Sequence, residues 1–190
     1  MQSSAVLDLF RTSGALLEGH FRLTSGLHSD RYLQSALVLQ YPEHAEVLGR
    51  ALAERLAHLQ PTAVLSPALG GIVIGHEVAR ALGIKALFAE RVNGDLTLRR
   101  GFSLSSADRV LVVEDVITTG GSTRETSNVA TAAGAIVVGA GSIIDRGSDP
   151  HRLSLPLVSL VNLEVPAHQP EACPLCARGI PVVKPGSRAT

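Results

Sequence analysis

Leu111-Val-Val-Glu-Asp-Val-Ile-Thr-Thr-Gly-Gly-Ser-Thr123 is the stretch on which the fold turns. A short apolar run ends in two adjacent carboxylates, Glu114 and Asp115, and then in small, hydroxyl-rich residues. Such a run, without polar alternation, predicts a strand buried on both faces, as in parallel sheets covered by helices. Residues 122–133 read as a helix, so the intervening loop carries a helix start to the sheet rim. Backbone amides at such a start point outward, and glycines let a ligand come close to the chain. Thr118, Thr119, Gly120, Gly121, Ser122 and Thr123 therefore predict a phosphate cradle, with hydroxyls as extra donors. Glu114 and Asp115 would repel a phosphate. They suit the vicinal hydroxyls of a sugar, or water on a Mg²⁺ that a diphosphate brings. Each feature alone reads as a strand end and a serine-capped helix, but their order is far more specific. The stretch lacks both the Gly-Lys-Ser/Thr element of a Walker loop and the GxGxxG dinucleotide pattern.

The rest of the chain repeats this alternation. After Pro42, the segment EHAEVLGRALAERLAHL puts Val47, Ala51, Leu52, Leu56 and Leu59 on one helical face. The apolar run 63–65 follows and leads into Ser66-Pro-Ala-Leu-Gly-Gly71; residues 72–82 then read as a helix closed by Gly83. Further apolar runs lie at 85–89, 135–140, 143–144 and 157–161, with a polar loop at 92–101. The predicted fold is α/β, a central mainly parallel sheet flanked by helices, in a single domain over 1–190. Ligands in such sheets sit beyond the carboxyl ends of the strands, where the loops 66–71, 92–101 and 114–121 emerge. Residues 1–40 fit this pattern poorly. A short helix near 6–10 and hairpin-like pieces around Phe21 and Tyr32 predict a small N-terminal cap over that rim. Residues 165–190, rich in proline, read as an irregular tail.

Composition narrows the function. Formal net charge is +0, so no overall field draws the chain to nucleic acid or anionic lipid. Trp is absent and aromatics are few, which leaves little for stacking nucleic-acid bases. The start MQSSAVLDLF lacks a signal-peptide pattern, and no apolar stretch approaches a membrane span. Two cysteines close together make no secreted disulfide framework. A cytoplasmic enzyme with neither nucleic-acid nor membrane partners is the expectation.

The strand, the acid pair and the Thr-Thr-Gly-Gly loop resemble the signature of the phosphoribosyltransferase family. The resemblance implies 5-phosphoribosyl 1-diphosphate as substrate, with Mg²⁺. It implies that Val116, Ile117, Thr118, Thr119, Gly120, Gly121 and Ser122 wrap the 5′-phosphate beside Thr123. Glu114 and Asp115 would hold the ribose 2′- and 3′-hydroxyls, with Asp115 and Arg91 among the catalytic residues.

Further stretches look like the orotate phosphoribosyltransferases. Gly19-His-Phe-Arg-Leu-Thr-Ser-Gly-Leu-His-Ser-Asp-Arg-Tyr32 matches their Phe-x-Leu-x-Ser-Gly-x-x-Ser-x-x-Tyr pattern, and Ile143-Ile-Asp-Arg146 ends a strand as theirs does. Glu90-Arg91, Leu98-Arg-Arg-Gly-Phe102 and the tail from Cys173 extend the likeness over most of the chain. It implies transfer of the phosphoribosyl group to orotate in pyrimidine biosynthesis, with Ser25, Gly26, Thr118 and Arg146 at the base. It also implies a homodimer in which the 92–101 lid loop reaches into the partner. A carboxylate on the base calls for a fixed cationic donor, which Arg146 supplies; a surface ion pair with Asp145 or Asp149 is the plainer role for that arginine.

The chain also departs from the pattern. Thr24 stands where many of these enzymes carry lysine and Gly70 where some do, and Val92, not the lysine often found, follows Arg91. No lysine or histidine occurs in 92–102, so Arg91, Arg99 and Arg100 are the candidate cations for the leaving diphosphate. Local sequence reads that loop equally well as a solvated hairpin turning at Asn93-Gly94. A transferase for a purine base and a non-catalytic sensor of the sugar diphosphate remain alternatives. In the tail, Cys173, Cys176 and His168 offer three Zn²⁺ ligands, or the cysteines form a turn with two free thiols.

Overall fold

The computed structural model describes residues 1–23, 26–147, 149 and 153–184. Helix α1 (Ser3–Thr12) precedes an antiparallel hairpin of β1 (Leu16–Arg22) and β2 (His28–Leu33), then a short helix α2 (Ser35–Leu39). α3 (Pro42–Leu56) starts at a proline, which suits a first turn whose N–H groups have no intrahelical partner. β3 (Ala63–Pro67), α4 (Gly71–Leu82) and β4 (Lys85–Val92) form a right-sized crossover unit, and Gly83 ends α4 in the left-handed region at φ 68°. β5 (Asp95–Leu98), β6 (Arg109–Ile117), α5 (Gly121–Ala132), β7 (Ile136–Asp145), β8 (Leu157–Asn162) and the single turn α6 (Pro174–Ala177) complete the order.

Six strands form the main sheet in the order β5-β4-β3-β6-β7-β8, with only the β4–β5 pair antiparallel. Alternation sorts its side chains. Val64, Leu111 and Val113 pack with α3 and α4 residues such as Leu48, Leu52, Ile74 and Val78. Leu65, Val110 and Val112 pack on the other face with Leu87 and with Ala130 of α5. The mainly parallel α/β architecture is therefore as the sequence implies.

Three details differ. Val47 is 48% exposed, because α3 buries Ala45, Leu48, Ala51, Leu52 and Leu56 between the sheet and α4, which turns Val47 outward. Of the two readings of the segment after Arg91, a polar lid loop and a hairpin, the structure has the hairpin: β5 joins β4 through Asn93 and Gly94 at φ 53° and 100°, the conformation of a tight turn. The runs 135–140 and 143–144 are one continuous strand, β7.

The strand order reverses at β3. β4 lies on one side of it and β6 on the other, so the crevice between the carboxyl ends of β3 and β6 is the topological switch point. The β1–β2 hairpin forms a separate two-stranded sheet. No helix among the described residues is long and apolar enough to cross a membrane.

Gly49 lets α3 and α4 approach. A Cβ there would collide with the Cβ of Glu77 and lie 2.9 Å from its carbonyl carbon. Overpacking of this kind costs about 1–3 kcal/mol, more than the roughly 1 kcal/mol of helix propensity gained. Gly49→Ala should lower the urea midpoint; an unchanged or higher midpoint would show that the two helices part freely.

Candidate active site

β6 carries Glu114 and Asp115 to the switch point, and successive side chains of a strand face opposite ways. Glu114 turns toward α5. It is buried and accepts a hydrogen bond from the Thr123 hydroxyl. Burial pushes its carboxyl up to about 7, held back by the Thr123 bond and assisted by the negative charges of Asp115 and Glu125.

Between these two residues the chain passes Gly120, whose φ of 74° is left-handed and whose Cβ, if present, would strike Leu153. Gly120 is also the N-cap of α5, with no side-chain cap. Ser122 is thus inside the helix, and the serine-capped reading is corrected: the first-turn amides are not taken up by a cap. They border a cavity of about 220 Å³ lined by Glu114, residues 116–123 and Glu125. Thr118 and Thr119 are exposed at its edge.

Asp115 faces the loop after β3. A Cβ at Gly70 would lie 2.8 Å from Asp115 Oδ1, so the backbone of 68–70 approaches that carboxyl closely. A second cavity of about 350 Å³, bordered by Gln34, Leu39, Gln40, Leu69, Gly70 and Val73, opens on Asp115. Burial pushes the Asp115 carboxyl up, against the Ser35 hydroxyl and backbone amides that hold it down.

Arg146 follows β7 directly. Its N–H donates to Ile117 O at 2.8 Å, which puts it at the root of the cradle loop. The side chain is half-buried, and its Nε is buried with no hydrogen-bond partner. Burial lowers the guanidinium pKa, opposed by Tyr32 of the hairpin. Asp145 is buried and accepts from Gly147 N at 2.8 Å. Gly26 lies in the hairpin turn at φ 85°, its N–H on Leu23 O, while Ser25 lies outside the described residues.

The other arginines are tied to acids. Arg91 pairs with Glu125 of α5 at 2.8 Å and donates to Gly94 O, so it stands at the cradle's edge. Arg100 makes two 3.0 Å bonds to Glu90 and lies over the Phe88 ring, and Arg99 is 3.9 Å from Glu90. Both are held at the base of the hairpin, outside the cradle.

In the tail, His168 contributes backbone only, exchanging two 2.8 Å bonds with His28. Cys173 and Cys176 converge instead on His20 and His28, so the ligand set expected from sequence is corrected. Those histidines went unread because they sit about 150 residues from the cysteines, and only pairing of the tail with the hairpin joins them. Ser35 and Glu125 carry no site signal in the sequence, where they are ordinary polar residues of helices, and Tyr32 stands out only as the end of the motif that begins at Gly19.

This arrangement can take a phosphate ester on uncapped amides and a hydroxylated ligand on buried carboxyls, with a cationic donor alongside. Residues 36–173 match the family described as "Phosphoribosyl transferase domain". An orotate phosphoribosyltransferase of Chlorobium phaeobacteroides is 52% identical over 100% of this chain and 98% of its own length. One of Pelotomaculum thermopropionicum is 53% identical over 99% of each. The crystal structure of the Mycobacterium tuberculosis orotate phosphoribosyltransferase in complex with 5-phospho-α-D-ribosyl 1-diphosphate is similar in fold. Its TM-score is 0.70 at 23% identity, over 85% of this chain and 96% of that one. The chain belongs to the phosphoribosyltransferase family, in its orotate phosphoribosyltransferase branch.

Glu114 makes stability depend on pH. Its folded value near 7 exceeds its ordinary 4.5, so the folded protein binds that proton more tightly. The contribution is complete below about 4.5 and is lost as pH rises through about 7, amounting to at most about 3 kcal/mol. Wild type should therefore lose more thermal stability between pH 5 and 8 than Glu114→Gln. Parallel melting profiles would show that Glu114 ionises at no cost to the fold.

Proposed function

We propose that the chain transfers the phosphoribosyl group of 5-phosphoribosyl 1-diphosphate to orotate, giving orotidine 5′-phosphate and diphosphate in cytoplasmic pyrimidine synthesis. The observation that carries this reading is the buried, unpartnered Nε of Arg146, which follows the strand next to the one that delivers the Glu114–Asp115 pair to an uncapped helix start. The amides and hydroxyls of 117–123 receive the 5′-phosphate, while Glu114 and Asp115 accept hydrogen bonds from the ribose hydroxyls. Val116 lines the same cavity. Arg146 takes the orotate carboxylate, with Thr118, Ser25 and Gly26 as the further base contacts.

In the reaction a ring nitrogen of orotate forms a bond to the anomeric carbon as the bond from that carbon to the diphosphate oxygen breaks. The attacking base is already an anion, so no strong general base is required. Catalysis is then mostly charge placement: the carboxyls sit near a cation-like sugar, and arginines meet the leaving group. Hard oxygen donors whose burial disfavours their charge suit a hard cation. Mg²⁺ would be held on the Asp115 side, where it offsets negative charge on the diphosphate.

We extend the reading to a homodimer whose 92–101 hairpin serves the partner's site as a lid. Tyr41, Val47, Leu69 and Val73, on or beside α3 and α4, expose apolar surface for such an interface. Arg99 and Arg100 rest on Glu90 through exposed pairs that a diphosphate can replace.

The direct test follows orotate absorbance with the sugar diphosphate and Mg²⁺, and with adenine or uracil in place of orotate. Consumption of adenine but not orotate would redirect the assignment to a purine base, and binding without turnover would redirect it to a sensor. Arg146→Ala should raise the KM for orotate roughly ten- to a hundred-fold, the value of one charged hydrogen bond, and spare that for the sugar diphosphate. Undiminished discrimination between orotate and uracil would remove Arg146 from the carboxylate. Replacing Arg99 and Arg100 with Ala should lower kcat more than it weakens ground-state binding. Mixing that double variant with Asp115→Asn should restore part of the activity, since one hybrid site regains both lid and cradle. No restoration despite demonstrated subunit exchange would place the arginines in their own chain's site.

A further inference from the structure

A second cluster lies outside the transfer site, where the tail crosses the β1–β2 hairpin. His20 comes from β1, His28 from the first position of β2, and Cys173 and Cys176 from the start of α6. Their donor atoms all lie within 4.8 Å of one another. His20 Nε2 is 2.9 Å from His28 Nδ1, 3.5 Å from Cys173 Sγ and 3.8 Å from Cys176 Sγ. Cys176 Sγ is 3.3 Å from His28 Nδ1.

We propose that His20, His28, Cys173 and Cys176 bind one structural Zn²⁺ that locks the C-terminal tail onto the β1–β2 hairpin, the hood of the molecule. Tetrahedral zinc, with bonds of about 2.0–2.1 Å to nitrogen and about 2.3 Å to sulfur, sets nitrogen–sulfur separations of about 3.5 Å. Three of the four such separations here, at 3.3, 3.5 and 3.8 Å, bracket that value. His20, His28 and Cys173 are buried, and the 2.9 Å contact between the two imidazoles is a hydrogen bond that the ion would replace, opening the nitrogens to about 3.3 Å. The second shell is in place. His20 Nδ1 lies 2.7 Å from Ile180 O, and a carbonyl can only accept, so the proton is on Nδ1 and the Nε2 lone pair faces the cluster. Two thiolates and two imidazoles favour zinc over magnesium or calcium. Four protein ligands leave no open position, which makes the role structural.

The surroundings show what the ion fastens. Val183 N donates to His20 O and Arg22 N to Val183 O, both at 2.8 Å, and His28 exchanges bonds with His168. A two-stranded hairpin is marginal by itself in water, so a metal joining it to the tail supplies the missing cross-link. The ion thereby fixes the hairpin that brings Tyr32 to Arg146.

This inference is independent of the proposed transfer reaction, and none of its readouts uses turnover. The full chain, purified under reducing conditions, is depleted with chelator and titrated with Co²⁺ and Zn²⁺ alongside Cys176→Ser. One equivalent of Co²⁺ should give a thiolate charge-transfer band and the intense visible bands of tetrahedral cobalt, both displaced by Zn²⁺. Zn²⁺ should raise the wild-type melting temperature by several degrees and leave Cys176→Ser, whose altered side chain is on an exposed residue, unmoved. Elemental analysis of undepleted wild type should find about one zinc per chain. Absence of the cobalt spectrum in wild type with both thiols free would overturn the proposal. Equal uptake by Cys176→Ser, or a Cys173–Cys176 disulfide in the protein as purified, would overturn it too.

Discussion

The hydrogen bond from Thr123 to the buried Glu114 carboxyl fixes how α5 leaves β6. It joins a residue of the helix's first turn to one near the strand's end, so the loop between has little freedom. Gly120 resolves the geometry by taking a left-handed conformation that also leaves α5 without a side-chain cap. A capped helix would have satisfied its own amides. Here they are left to a ligand, and the stability forgone at the cap is the condition for a phosphate site. The same bond holds the Glu114 carboxyl in a place that disfavours its charge, so bound cationic or hydroxylated groups relieve a strain already present.

What the sequence revealed follows from how local each interaction is. The cradle was readable because strand, acids, glycines and helix start are contiguous from Leu111 to Thr123. The parallel sheet was readable because its strands are short apolar runs. β7 reads as two pieces because Gly141 and Ser142 break its apolar run, yet a Cβ at Gly139 would lie 2.7 Å from Leu59 Cδ1 and one at Gly141 2.6 Å from Leu56 Cδ1. Those glycines admit the end of α3 to the sheet, a long-range cause that no window over β7 contains. Val47 was misplaced for a similar reason, since the side of α3 that is buried depends on α4. His20 and His28 escaped because their partners stand at the other end of the chain.

Arginines on the rim fall into two kinds, although the sequence presents them alike. Arg146 is half-buried with an unpartnered Nε, a state that costs stability unless a ligand completes it. Arg91, Arg99 and Arg100 are exposed and lie against Glu125 or Glu90. Exposed pairs of this sort are held weakly and screened by salt, so exchanging a carboxylate for a phosphate oxygen takes little reorganisation. A neutral chain can thus gather cations at one rim without a field over the whole surface.

The rim also divides by stiffness. Its fixed parts sit on central strands: β6 carries the acids, and the β6–β7 register pairs Ile117 with Asp145, which sets Arg146 one residue beyond. The hairpin bearing the loop arginines hangs on β5, an edge strand of four residues bonded to β4 alone within the sheet. An edge strand with one neighbour opens at lower cost than a central strand with two, so this hairpin is the part of the rim that local opening reaches most cheaply. The hood lies between these extremes. Two strands cannot hold it firmly by themselves, but the tail crosses it and the His–Cys cluster closes the crossing. Because β2 runs from His28 to Leu33, tension on the cluster reaches Tyr32 through four residues of extended chain. Tyr32 faces Arg146 closely enough to oppose the effect of burial on its guanidinium, so the anchored hairpin and the strand end that carries Arg146 meet at this residue.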